Sequence, residues 1–266
     1  MEQTDQSLRD PQDVKSALGI PLLGVIPYVD GIDVETDLLD KKSTTSEAFL
    51  SVRTSMAFLT DHGVPKSVAV TSTRPSEGKS TSALAIALTL ARTGKSVALV
   101  DADMRNPTQH KLGDLNLTPG LSTYLAGSDD YTSLMQSSGI PNLAILAGGT
   151  SPPNAAELLS NGRLSKLLES LLIEFDHVVI DAPPVLGLAD APLTGSVVEG
   201  VVYIIEANGA RVRAIATAMD RLRSSNTRIF GAVVTKVDNR NAQYGYGYGY
   251  GYGYGYGVSE SGPERR

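Results

Sequence analysis

Short aliphatic runs recur between residues 68 and 234, and stretches with helical spacing separate most of them. Val68 to Thr71, Val97 to Val100, Asn142 to Leu146, Val178 to Ile180, Val201 to Ile205 and Ile229 to Val234 read as strands. Lys79 to Arg92 reads as an alanine-rich, mostly buried helix. Leu164, Leu167, Leu168, Leu171 and Leu172 mark an amphipathic helix, and Val212, Ile215, Met219 and Leu222 mark another. Strands that are apolar throughout are covered on both faces. Their alternation with helices predicts an α/β fold, a mainly parallel sheet with helices on both faces. Ligands of such sheets bind at the carboxyl ends of the strands, so the residues just after each strand are the ones to inspect.

The two ends of the chain read differently. Residues 1–44 form an N-terminal arm in this reading, with a short helix at Asp13 to Leu18 and a short strand, Leu22 to Pro27, closed by proline. Residues 45–240 form the main domain, opening on a helix with Phe49, Val52, Met56 and Leu59 along one face. In the tail, 241–266, tyrosine and glycine alternate strictly from Tyr244 to Gly257. Seven of the 11 tyrosines are there, with no aliphatic residue to pack among them, so this stretch is expected to be disordered.

Composition narrows the function. Of the 266 residues 41% are apolar, enough for a substantial core, and 20% are charged. A net charge of −6 argues against general nucleic-acid binding, which needs a positive field along the phosphates. The absence of cysteine excludes disulfides, thiolate metal sites and a cysteine nucleophile, and fits a reducing compartment. The polar start, MEQTDQSLRD, is unlike a signal peptide, and no apolar run reaches the roughly 18–20 residues of a membrane span.

Three strand ends carry chemistry. Gly78-Lys79-Ser80-Thr81 follows a strand and opens a helix, the setting of a phosphate-binding loop. Backbone N–H groups from Glu77 to Thr81 and the helix N-terminus would hold nucleotide phosphates. Lys79 would reach the β/γ-phosphates, and the Ser80 hydroxyl would bind Mg²⁺. The usual first glycine of such a loop is replaced by Thr73. Asp101 and Asp103 end the second strand, spaced to reach a cation or a substrate proton, with Arg105 as an alternative salt-bridge partner. Asp181, followed by Ala182-Pro183-Pro184, ends a third strand where P-loop enzymes place a magnesium-binding acid.

On these residues the chain resembles the bacterial tyrosine kinases of capsule and exopolysaccharide export. Shared features are the variant loop 72–81, D-x-D-x-R at Asp101 to Arg105, D-x-P-P at Asp181 to Pro184, and a C-terminal tyrosine cluster. Leu18 to Pro27, Gly149 to Asn154, Ala156 to Leu159 and Asp190-Ala191 extend the resemblance over nearly the whole chain. It implies a P-loop NTPase-like fold and an ATP- and Mg²⁺-dependent tyrosine kinase. It gives Lys79 and Ser80 to phosphates and Mg²⁺, and Asp101, Asp103 and Asp181 to metal and tyrosine activation. Asp101 is the expected base, with Asp103 and Asp181 serving Mg²⁺.

The implied phosphorylation sites are Tyr244, Tyr246, Tyr248, Tyr250, Tyr252, Tyr254 and Tyr256, labelled mainly by a neighbouring subunit. The implied partners are other copies of the chain, a transmembrane polysaccharide co-polymerase partner or fused membrane domain, and a tyrosine phosphatase. The expected place is the inner face of the plasma membrane. The chain is either a cytosolic piece of a larger protein or a split kinase starting at Met1. It departs from the family's E-x-x-R-x-x-R oligomerisation motif at Leu50, between Glu47 and Arg53. Two alternatives stay open. One is a partitioning ATPase of the ParA or MinD kind, although Arg74 stands where those ATPases carry a second lysine. The other is a scaffold with a dead nucleotide site. His62, His110 and His177 read as bystanders, and Arg211, Arg213, Arg221 and Arg223 as a solvated helix face. Thr235 to Asp238 lies where the family binds adenine.

Overall fold

The computed structural model describes residues 7–29 and 34–238. In chain order its elements begin with α1 (Asp13–Leu18), β1 (Leu22–Pro27), α2 (Val34–Leu39), α3 (Thr44–Met56), β2 (Ser67–Ser72), α4 (Lys79–Ala91) and β3 (Val97–Asp101). There follow α5 (Gln109–Leu112), α6 (Leu121–Leu125), β4 (Gln136–Ser137), β5 (Leu143–Leu146), α7 (Ala155–Ser160), α8 (Arg163–Glu174) and β6 (His177–Asp181). The last are α9 (Asp190–Gly195), β7 (Gly200–Glu206), α10 (Val212–Ser224) and β8 (Ile229–Val237). The eight strands form one sheet in the order β1-β8-β7-β2-β6-β3-β5-β4. All neighbours are parallel except the β4–β5 edge.

Successive strand residues alternate between two cores, as the pleat requires. Val68, Val70, Val97, Leu99, Val202 and Ile204 face α3 and α4. Ala69, Ala98, Val100, Val201, Tyr203 and Ile205 face α8 and α10 on the other side. Every residue of α4 from Ser82 to Ala91 is buried, which explains an apolar helix with no polar stripe.

The segment read as an arm is stitched into this architecture. β1 pairs with β8 and closes one sheet edge, while Leu8, Val14, Leu18 and Ile20 are buried in the core beside α10. A partner for the otherwise open edge of β8 is the physical reason. The tyrosine-rich tail lies outside the described residues.

β1 and α3 approach closely because residue 24 is glycine. A Cβ there would lie 2.5 Å from Cγ2 of Val52. Val52 is wholly buried and β-branched, so it has little rotamer freedom in a helix. Gly24→Ala is expected to lower stability by about 1–3 kcal/mol. Thermal unfolding checks this: adding Val52→Ala should return part of the loss, and a double variant no better than the sum of the singles would contradict the contact.

Candidate active site

The phosphate loop runs from β2 into α4. Ser76 (φ 67°) and Gly78 (φ 91°) both take left-handed backbone, which turns the loop sharply into the helix N-terminus. The loop is braced from within and from the sheet. Arg74 N–H donates to Glu77 Oε2 at 2.9 Å, and Ser72 Oγ donates to the Arg74 carbonyl at 2.7 Å. Thr235 Oγ1 donates to the Glu77 carbonyl at 2.8 Å, and Lys236 Nζ to the Ser76 carbonyl, also at 2.8 Å. Glu77 is buried with its carboxylate turned into the loop, and burial raises its pKa. Its side chain therefore braces the loop. Thr73, in place of the first glycine, is fully buried with its hydroxyl 2.9 Å from that of Tyr203. The substitution is tolerated because the side chain points into the sheet.

The acids meet Lys79 at the same strand ends. Its Nζ lies 2.8 Å from Asp103 Oδ2 and 3.4 Å from Asp181 Oδ1, and donates to Ser80 Oγ at 3.0 Å. Burial by itself would lower the pKa of this ammonium. Asp181 and Asp103 outweigh it and hold the pKa above the usual lysine value. Asp181 is wholly buried, and burial raises its carboxyl against the pull of Lys79.

Asp101 is equally buried and faces the backbone. Its Oδ2 accepts the N–H groups of Thr108 (2.8 Å) and Gln109 (2.9 Å), and its Oδ1 accepts that of Asp103 at 3.2 Å. Burial and Asp181 push it up to about 8, against those amides and Lys79. The expected residues Lys79, Ser80, Asp103 and Asp181 thus converge, with Asp101 behind them shaping the 101–109 loop.

The donor set fits magnesium. Three oxygen-bearing side chains, Ser80, Asp103 and Asp181, gather around one cation, the Lys79 ammonium. Hard oxygen donors of this kind suit Mg²⁺. Among the described residues no group of three His, Cys, Asp or Glu is arranged to hold a metal alone.

Other sequence readings change. Arg105 pairs with buried Asp190, not with the neighbouring acids, at 2.7 Å from Nε and 3.4 Å from Nη2. Arg221 is not simply solvated: it donates to the carbonyls of Val185 and Leu188, holding the loop after β6. Thr235 and Lys236 grip the phosphate loop. His62 meets Glu199 and His177 meets the Pro65 carbonyl, both away from the acids. Gln109 went unread in the sequence. It is fully buried, and its Nε2 donates to Asp181 Oδ2 (2.8 Å) and the Ser80 carbonyl (2.9 Å). A lone glutamine eight residues past Asp101 carries no periodicity or charge signal.

Residues 68–245 match the family described as the CobQ/CobB/MinD/ParA nucleotide binding domain. The chain is 36% identical over 209 residues to the tyrosine-protein kinase YwqD of Bacillus subtilis, across 78% of this chain and 88% of that one. It is 32% identical over 204 residues to CapB of Staphylococcus aureus, named a putative tyrosine-protein kinase, across 76% and 90%. The kinase domain of Escherichia coli tyrosine kinase ETK superposes with a TM-score of 0.82 at 27% identity, over 91% of this chain and 99% of that domain. The septum site-determining protein MinD of Pyrococcus horikoshii, solved with Mg-ADP, has a TM-score of 0.55 at 19% identity, over 64% and 69%. At that distance the likeness is one of fold. Identity over most of both chains, joined to an intact phosphate loop and strand-end acids, places this chain in the bacterial tyrosine-protein kinase family, on a P-loop nucleotide-binding fold.

Proposed function

We propose that this kinase transfers the γ-phosphoryl of MgATP to its own tail, Tyr244 to Tyr256, mainly on a neighbouring copy. The observation that carries this is the convergence of Lys79, Ser80, Asp103 and Asp181 at the carboxyl ends of the strands, the sheet end at which parallel β8 also finishes. Loop amides and Lys79 hold the phosphates, while Ser80, Asp103 and Asp181 supply the oxygens for the metal. Bound Mg²⁺ would neutralise charge on the phosphates. Asp101 accepts the phenolic proton as the tyrosine oxygen bonds to the γ-phosphorus, and the bond to the β-phosphate oxygen breaks, releasing ADP.

Each phosphotyrosine adds about −1.5 to −2 charges. Seven on a chain already at −6 would repel the tail from the acid cluster and weaken any assembly it supports. Under this reading the assembled kinase serves polysaccharide export beside a transmembrane partner at the inner face of the membrane, and a tyrosine phosphatase resets it. No helix among the described residues is long and apolar enough to cross a membrane.

Mixing two variants tests the reading. A Lys79→Met chain is combined with an active chain whose seven tail tyrosines are phenylalanine. Phosphate is expected on the tail of the Lys79→Met chain, which only another copy can label. An unlabelled tail, with label elsewhere on the active chain, would exclude the tail as substrate.

A further inference from the structure

Gln109 links three parts of the site, Asp101, Asp181 and Ser80. Its backbone N–H donates to Asp101 Oδ2 at 2.9 Å. Its side-chain Nε2 donates at 2.8 Å to Asp181 Oδ2 and at 2.9 Å to the carbonyl of Ser80, in the first turn of α4. Both side-chain partners are acceptors, so the amide is oriented with nitrogen toward them. The other Asp181 oxygen, Oδ1, is the one that faces Lys79. The residue is 0% exposed, so its rotamer is held by packing. Its Oε1 is buried with no donor among the described residues. A buried acceptor without a partner costs about 1–3 kcal/mol, and native sites keep such atoms for a reason.

We infer that Gln109 is a positioning residue of the kinase site, clamping Asp181 through Oδ2 to the phosphate loop so that Oδ1, the oxygen beside Lys79, would be held in place for Mg²⁺. The clamp sets the separation of two metal-binding groups, Ser80 and Asp181, that come from different strand ends. A carboxylate restrained on one oxygen keeps the other aimed without an ordering cost at binding. The amide also leaves the net charge of the cluster unchanged, where an acid in its place would add a fourth buried carboxyl group to Asp101, Asp103 and Asp181. Only the metal-dependent part of nucleotide binding should depend on this residue. The phosphate loop keeps its own braces, from Thr235, Lys236 and Glu77.

This inference rests on the site being the MgATP site of the kinase, and the experiment separates the two. Binding of a fluorescent ADP analogue is measured in EDTA and in saturating Mg²⁺, for the full chain and for Gln109→Met, with Gln109→Ala as a second variant should the methionine not pack. The full chain should bind more tightly with Mg²⁺; if it gains nothing, the reading of the site fails as well. In the variants, affinity in EDTA should stay within about twofold, while the gain from Mg²⁺ falls about tenfold. The Mg²⁺ concentration for half-maximal phosphoryl transfer should rise by a similar factor. An undiminished Mg²⁺ gain in the variants overturns the inference. So does an equal loss of affinity in EDTA, which would mark a general defect of the loop.

Discussion

Lys79→Met should reduce phosphoryl transfer at least about a thousandfold, below detection in a phosphotyrosine assay. Among the described residues no other lysine pairs with the strand-end acids, so the variant lacks the one ammonium placed at the phosphate loop. The same substitution has a second effect that a surface lysine would not show. Nζ is buried between Asp103 and Asp181, and removing it leaves two buried carboxylates without their cation. Breaking a buried pair from one side costs roughly 3–5 kcal/mol, less whatever protonation of the acids returns. The nucleotide-free variant should therefore melt several degrees lower. Mg²⁺ alone should restore more of its melting temperature than it adds to the unsubstituted chain, because the ion can take the vacated place of the ammonium. Calorimetry with and without Mg²⁺ checks this. A Lys79→Met protein with normal phosphotyrosine would remove the nucleotide-site assignment altogether.

Asp101→Asn should lower transfer by about a hundred- to ten-thousandfold while MgADP affinity stays within a few-fold. Asparagine cannot take up the phenolic proton. It also cannot reproduce the hydrogen bonding of the carboxylate. Asp101 accepts from three backbone N–H groups through two oxygens. An amide has one oxygen, and its NH₂ would confront whichever donor remains. Meeting the Asp103 N–H, the longest of the three contacts, would cost least, with a stability loss of about 1–3 kcal/mol. Single-turnover transfer measured beside equilibrium MgADP binding separates the roles. Loss of nucleotide binding together with transfer would make Asp101 a metal and loop residue and pass proton transfer to a neighbour.

The strands and the phosphate loop were legible in the sequence because their signals are local. Apolar runs such as Val178 to Ile180 need no tertiary partner to be recognised, and Gly78-Lys79-Ser80 is readable from its place between strand and helix. The short helices α2, α5, α6, α7 and α9 were missed. Segments of four to six residues show too few turns for a periodicity, and packing fixes them rather than propensity. The two-residue antiparallel β4 is invisible for the same reason. Within the site, residue identity told less than direction. Glu77 and Asp101 stand in the expected motifs yet turn toward backbone amides, and Gln109, outside every motif, touches two of the acids. Arg105 shows the same limit. Its neighbours in sequence are acids, but its partner is Asp190, 85 residues away.

The exit of β8 gives the tail a fixed mooring. Lys236, next to the end of the strand, holds the Ser76 carbonyl and Glu206, so the chain departs beside its own phosphate loop. Counted along the sequence, the seven tyrosines lie from six to eighteen residues beyond Asp238. Fully extended, the first is at most about 20 Å away and the last about 60 Å, at some 3.3–3.6 Å per residue. A site on another copy meets the far tyrosines over a much larger search volume than the near ones. Under the proposed labelling of the tail by another copy, label should arrive from Tyr256 inward, and the occupancy of the cluster would record how close the neighbouring copies have been.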